Sequence, residues 1–131
     1  MTKPKTYEGG CLCGHIRFIA TGPAHKPHTC FCRLFQRHSG ALTQMWVEFS
    51  QDQVQWTGPG RTPSKWRSSE WSSRAFCSVC GSTIGAIDDK PTLALAIGIF
   101  DSPNRHELAP QSHSYVSKRP KWWGIHNPSE T

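Results

Sequence analysis

The sequence has no stretch apolar and long enough to enter a bilayer. Its longest apolar run, Leu93 to Phe100, has eight residues, whereas a spanning helix needs about 20. The opening Met-Thr-Lys-Pro-Lys-Thr-Tyr-Glu lacks an apolar h-region, which argues against a secretory signal. Acidic residues are scarce, 9 against 15 basic ones, for a formal charge of +6. That balance favours anionic partners such as acidic metabolites or phosphates. The basic residues are nevertheless spread along the chain and form no block of the kind that marks a nucleic-acid-binding arm. The nearest thing is Lys118-Arg119-Pro120-Lys121, beside Trp122 and Trp123. Nucleic acid binding therefore rests on net charge alone and is the disfavoured class. Repeats, linkers and low-complexity segments are missing too, so residues 1–131 are expected to form a single domain.

Sustained helical periodicity is also lacking; no apolar pattern at helical spacing lasts beyond about ten residues. Period-two alternation is common instead. Ile16, Phe18 and Ala20 share one face, and Met45, Val47 and Phe49 share another. Val54-Gln55-Trp56 follows after a short turn. Lys65 to Phe76 reads as a hairpin with its tip near Ser68–Glu70, and Thr83 to Ile87 as a short strand. Leu93 to Phe100 alternates large and small residues, which suggests a central strand with one tightly approached face. His113 to Val116 adds a further strand. The expected fold is mainly β with about eight short strands. Two helical turns are expected, one from Arg33 to His38 stopping at Ser39-Gly40, the other opening at Asp101-Ser102-Pro103. The first six and last five residues are polar and expected to be loose.

Cysteine carries the chemistry. There are six, and all lie in close pairs: Cys11/Cys13, Cys30/Cys32 and Cys77/Cys80. A disulfide framework scatters cysteines between elements and belongs to an oxidising compartment; close pairs without an export signal suit a metal in a reducing, cytoplasmic setting. Phe76-Cys77-Ser78-Val79-Cys80-Gly81 has the form of a metal knuckle. Gly10-Cys11-Leu12-Cys13-Gly14 supplies a second pair, because residues i and i+2 of an extended segment point the same way. Cys11, Cys13, Cys77 and Cys80 together make a closed tetrahedral site of the structural zinc type, although iron accepts the same four thiolates. Cys30-Phe31-Cys32 is left with only two thiolates. It can be a pair of buried thiols, a reactive or redox pair, or half of a second metal site completed by His28, Gln36, His38 or an external thiol. Arg33 and Arg37 share one face of the turn beside it and can receive a carboxylate. The seven histidines show no metal-ligand spacing, and the six tryptophans suit either core or an apolar ligand groove.

Several segments in combination resemble the glutathione-dependent formaldehyde-activating enzyme family, also called the centromere protein V/formaldehyde-activating domain family. They are Gly9 to Gly14, Cys30-Phe31-Cys32 with Arg37-His38-Ser39-Gly40-Ala41, and Arg74-Ala75-Phe76-Cys77-Ser78-Val79-Cys80-Gly81-Ser82. Pro110, His113 and the Trp122-Trp123 tail complete the match. The resemblance implies a β-tent of twisted antiparallel sheets around a zinc site, and carbon–sulfur lyase chemistry on thiol adducts such as S-hydroxymethylglutathione. It implies that Cys11, Cys13, Cys77 and Cys80 are the structural zinc ligands. It also implies that Cys30 and Cys32 are the first two cysteines of a catalytic Cys-x-Cys-x-x-Cys zinc motif. The third falls at Phe35, and a phenyl ring cannot ligate zinc. The expectation is one structural zinc, a degraded second site, and a pocket at Cys30 and Cys32 for glutathione or its formaldehyde adduct, lined by Phe35 and tryptophans with Arg33 or Arg37 at its mouth. The alternative is a non-catalytic, zinc-stabilised interaction module using Trp122, Trp123 and the basic residues before them.

Overall fold

The computed structural model describes residues 3–124. In chain order the elements are β1 (Thr6–Gly10), β2 (Arg17–Thr21), β3 (His25–Cys30), α1 (Arg33–Ser39), β4 (Gln44–Ser50), β5 (Val54–Trp56), β6 (Ser64–Arg67), β7 (Ser72–Phe76), β8 (Thr83–Asp88), β9 (Thr92–Ala96) and β10 (Ser112–Ser114). Single 3-10 turns follow β4 and β9 and flank β10. Strands β1-β2-β5 form a small antiparallel sheet. The larger sheet has the order β10-β3-β4-β9-β8-β7-β6, with only the β10–β3 pair parallel. The two twisted sheets enclose the main core. Phe18, Ala20 and Val54 come from the small sheet, Ile16 from the loop that leads into it, and Val47, Phe49, Ala75, Ile84, Leu93 and Leu95 from the large one.

The fold is mainly β, with two strands more than the alternation revealed. β1 carries Gly9 and Gly10, and β3 reads His-Lys-Pro-His-Thr-Cys, so neither shows an apolar period. Gly9 is needed for close approach: a Cβ there would strike the Ile99 carbonyl and the Phe18 ring. Thr6, grouped with the loose N-terminus, begins β1. Met45 is largely exposed, while Trp46 and Val47 are both buried. β4 is covered on both faces, so its apolar residues do not alternate cleanly. Leu93 to Phe100 is not one strand, since β9 stops at Ala96 and a 3-10 turn takes Ile97–Ile99. The strand expected from His113 to Val116 is Ser112–Ser114, with a 3-10 turn at Val116–Lys118. No helix opens at Asp101-Ser102-Pro103; the turn lies later, at His106–Leu108. Helix α1 forms where expected and ends on Gly40, which takes φ 78° and donates its N–H to the Gln36 carbonyl. The last five residues, and His126, lie outside the described residues.

The large sheet also has a second useful face. Leu93 and Leu95 point into the main core, whereas Ala94 and Ala96 point the other way, toward Cys30, Trp46 and Phe35. The tightly approached face expected from the large–small alternation is this alanine face, and helix α1 lies over it.

Candidate functional site

Two loops at strand ends build the first cluster. After β1, the chain turns so that the Cys11 N–H donates to the Ile16 carbonyl (2.9 Å) and the Ile16 N–H donates back to Cys11 Sγ (3.2 Å). After β7, the N–H groups of Val79 and Cys80 both point at Cys77 Sγ (3.4 Å each). Gly14 and Gly81 close these loops at φ 82° and 80°, in the left-handed region that glycine enters without strain. Ser82 ties the loops together. Its Oγ accepts from the Leu12 N–H (3.2 Å) and lies 3.1 Å from Cys80 Sγ.

The four sulfurs of Cys11, Cys13, Cys77 and Cys80 lie within 4.8 Å of one another. The Cys11–Cys13 and Cys13–Cys77 separations are 3.7 and 3.8 Å. A tetrahedral metal with bonds of about 2.3 Å sets its thiolates about 3.8 Å apart, so the donors fit such an ion. The hydroxyl of Ser82, helped by backbone N–H groups, holds the Cys80 thiol down to about 5. Cys13 is drawn down by a backbone bond at His15, but burial and the neighbouring thiols outweigh that and push it up to about 12. Closely spaced thiols resist ionising together; a bound cation removes that conflict. Among the described residues this is the one group of three or more His, Cys, Asp or Glu side chains close enough to share an ion.

The second thiol pair sits elsewhere. Cys30 ends β3 and Cys32 caps α1, its sulfur accepting from the Phe35 N–H at 3.5 Å. Burial pushes the Cys30 thiol up to about 12. A cavity of about 480 Å³ opens beside the pair. Phe35, Arg33, Trp71 and Arg74 contribute to its walls, and Ala86 and Ala94 to its floor. Its size is that of a small-molecule site. Arg33 reaches the wall, its guanidinium donating to Gln36 Oε1 (2.6 Å), whereas Arg37 does not line the cavity.

The other proposed third ligands are turned elsewhere. His28 Nδ1 faces the Lys26 carbonyl at 2.7 Å. Gln36 is buried and donates to the carbonyls of Leu42 and Lys118, which fixes α1 to the later turn. His38 packs edge-on against Phe76, and burial lowers its pKa.

Arg74 is the residue that sequence reasoning passed over. Its guanidinium lies 3.8 Å over the Phe35 ring, which in turn packs 4.5 Å from Trp46. Arg74 is only 7% exposed. In the sequence it sits in a Ser-, Trp- and Arg-rich hairpin that looks solvated. The available signal was parity: Ala75 and Cys77 are core residues, so Arg74 must face the side that Ala86 and Ala94 face.

The model of the family described as glutathione-dependent formaldehyde-activating enzyme matches residues 6–118. The chain belongs to this family. Its match includes both thiol pairs of the four-cysteine cluster, the Cys30/Cys32 pair and the strands between them. The crystal structure of a Rhodobacter sphaeroides protein shares the fold. It superimposes with a TM-score of 0.62 at 15% identity, covering 81% of this chain and 98% of that one. No curated protein matches the chain significantly. Among the described residues no helix is long and apolar enough to cross a membrane.

Proposed function

We propose that this chain acts as one domain, holds a single zinc at Cys11, Cys13, Cys77 and Cys80, and binds a small thiol or thiol adduct beside Cys30 and Cys32. Glutathione or its formaldehyde adduct is the expected ligand, as the family's glutathione dependence suggests. The observation that carries the reading is Phe35. Its ring lies between Trp46 and the Arg74 guanidinium, at the position where the family motif calls for a third thiolate. A catalytic zinc needs three protein ligands and one open position. Two thiols beside an aromatic ring and a guanidinium do not meet that need, so no reaction step is assigned to a second metal. The cysteines can still contact the ligand's sulfur, and the aromatic wall can exclude water around it. Carbon–sulfur lyase turnover is expected to be low or absent.

Phe35→Cys tests this directly. Zinc per chain should rise from about one in the wild type towards two in the variant, on the ligand-count argument. Turnover of the glutathione–formaldehyde adduct should rise with it where the rest of the pocket suffices. Two tightly held zincs or brisk turnover in the wild type would show that another group has replaced the lost thiolate. A second reading, a zinc-stabilised interaction module, is favoured by the exposure of Trp122, although Trp123 beside it packs edge-on against Phe31; one zinc with no affinity for any small thiol would support it.

A further inference from the structure

The cavity floor has a simple layout. Strand pairing places Glu48 beside Ala94, Ala94 beside Ala86, and Ala86 beside Arg74. One row across four strands thus runs acid, small, small, base. Glu48 and Arg74 are three strand spacings apart, about 14 Å between backbones at the usual interstrand distance of about 4.8 Å. The two alanines leave open floor between them.

Arg74 is unusually placed for a cation. It is more than nine-tenths buried, and its Nε has no hydrogen-bond partner among the described residues. It also makes no ion pair or side-chain hydrogen bond among them. Arg33, by contrast, is committed to Gln36. Stacking on Phe35 uses the face of the guanidinium and fixes its plane. The N–H edge, which forms the fork that carboxylates match in bidentate fashion, stays free for a ligand.

We infer that Arg74 is a specificity-determining anchor: its guanidinium receives the carboxylate of a small organic acid lying across Ala86 and Ala94. This deepens the proposed thiol-binding role and rests on it for the sulfur end of the ligand, next to Cys30 and Cys32. Arg33, Arg74 and Lys118 line the cavity against Glu48 and Asp88, a balance of one net positive charge that suits a monoanion better than a phosphate-like dianion. Glu48 also repels an acid from the far end, which gives the ligand one orientation.

The test is calorimetric titration of the zinc-loaded protein with four probes: (methylthio)acetate, its neutral amide, S-methylglutathione and inorganic phosphate. The acid should bind at least tenfold more tightly than the amide. Arg74→Gln should weaken it at least tenfold, and Arg74→Lys, which keeps the charge without the planar fork, by less. Zinc content and thermal melting check that each variant is folded. If Arg74→Gln does not fold, the acid-to-amide ratio and a weakening of at least threefold in Arg74→Lys support the anchor. If the acid follows this pattern but S-methylglutathione does not bind, the anchor stands and the glutathione reading fails. If S-methylglutathione binds equally well to the wild type and Arg74→Gln, the anchor fails and the glutathione reading stands. Parity of acid and amide, tighter binding of phosphate, or no binding of the acid overturns the anchor.

Discussion

The chain contains two kinds of cysteine site, and they differ in what surrounds the sulfur. At Cys11, Cys13, Cys77 and Cys80, sulfurs from two loops converge with backbone N–H groups aimed at Cys11 and Cys77. At Cys30 and Cys32, the neighbours are an aromatic ring, alanine methyls and a buried guanidinium. Spacing alone makes both sites look like metal sites. Only convergence from remote chain segments separates them. Cys13 and Cys77 are 64 residues apart in sequence yet 3.8 Å apart in space, so an ion held there would join the ends of two sheets. Cys30 and Cys32 join only a strand to the helix that follows it.

The sharpest contrast is mutational. Cys77→Ser should lose metal and cooperative folding together, because binding energy at structural zinc sites, about 10–16 kcal/mol in small zinc domains, is folding energy. Metal analysis and a thermal melt check this. A variant that folds normally without metal would dissolve the distinction between the two sites.

A smaller effect is expected at Ser82, which touches both metal loops. Ser82→Ala should cost about 1 kcal/mol of stability and about 10- to 100-fold in metal affinity, measured by chelator competition. An unchanged affinity would mean that the loops hold their geometry without the hydroxyl bridge.

Cys32→Ser should do little. The residue is an N-cap, and serine is a better N-cap than cysteine. Cys32 is half-buried against Cys30, Trp46 and Ala96, so stability should change by no more than about 1 kcal/mol, and one metal should remain. Loss of metal from this variant would place Cys32 in the metal centre after all.

Acid acts on the fold outside both sites as well. Metal release on acidification comes from protonating thiolates, but one carboxylate contributes an independent loss. Glu107 is held down to about 2 by a backbone hydrogen bond, then by the Tyr7 hydroxyl, Lys5 and Arg105. A depressed carboxylate stabilises the fold above its unfolded pKa of about 4.3. That contribution disappears as pH falls through the folded value. The stability difference between wild type and Glu107→Gln should therefore be constant near neutrality and shrink between about pH 4.3 and 2. A difference that grows in acid would reverse the assignment.

The sequence made the four-cysteine cluster legible because its residues carry their own signature: close pairs and glycines at the turns. The hairpin at β6 and β7 and helix α1 were legible for similar local reasons. β3 was not, since His25-Lys26-Pro27-His28 gains its strand only from partners on both sides, β4 and β10. Arg74 was hidden more deeply. Its burial depends on β8 beside it and Phe35 above, which local periodicity does not bring together. Met45 was grouped with the buried Val47 and Phe49 yet is largely exposed, while Trp46 is buried on the opposite face, because a strand covered on both faces carries no clean period of two.

Strand β9 divides its labour by residue parity. Its odd positions, Leu93 and Leu95, answer to foldability; its even positions answer to the cavity and the thiol pair. A saturation scan across β9 would record two separate traits on alternate residues, cellular abundance on one set and ligand response on the other. Drift at Ala94 can thus reshape what the cavity admits while the leucines keep the domain intact, so a new preference can evolve without first passing through an unstable intermediate.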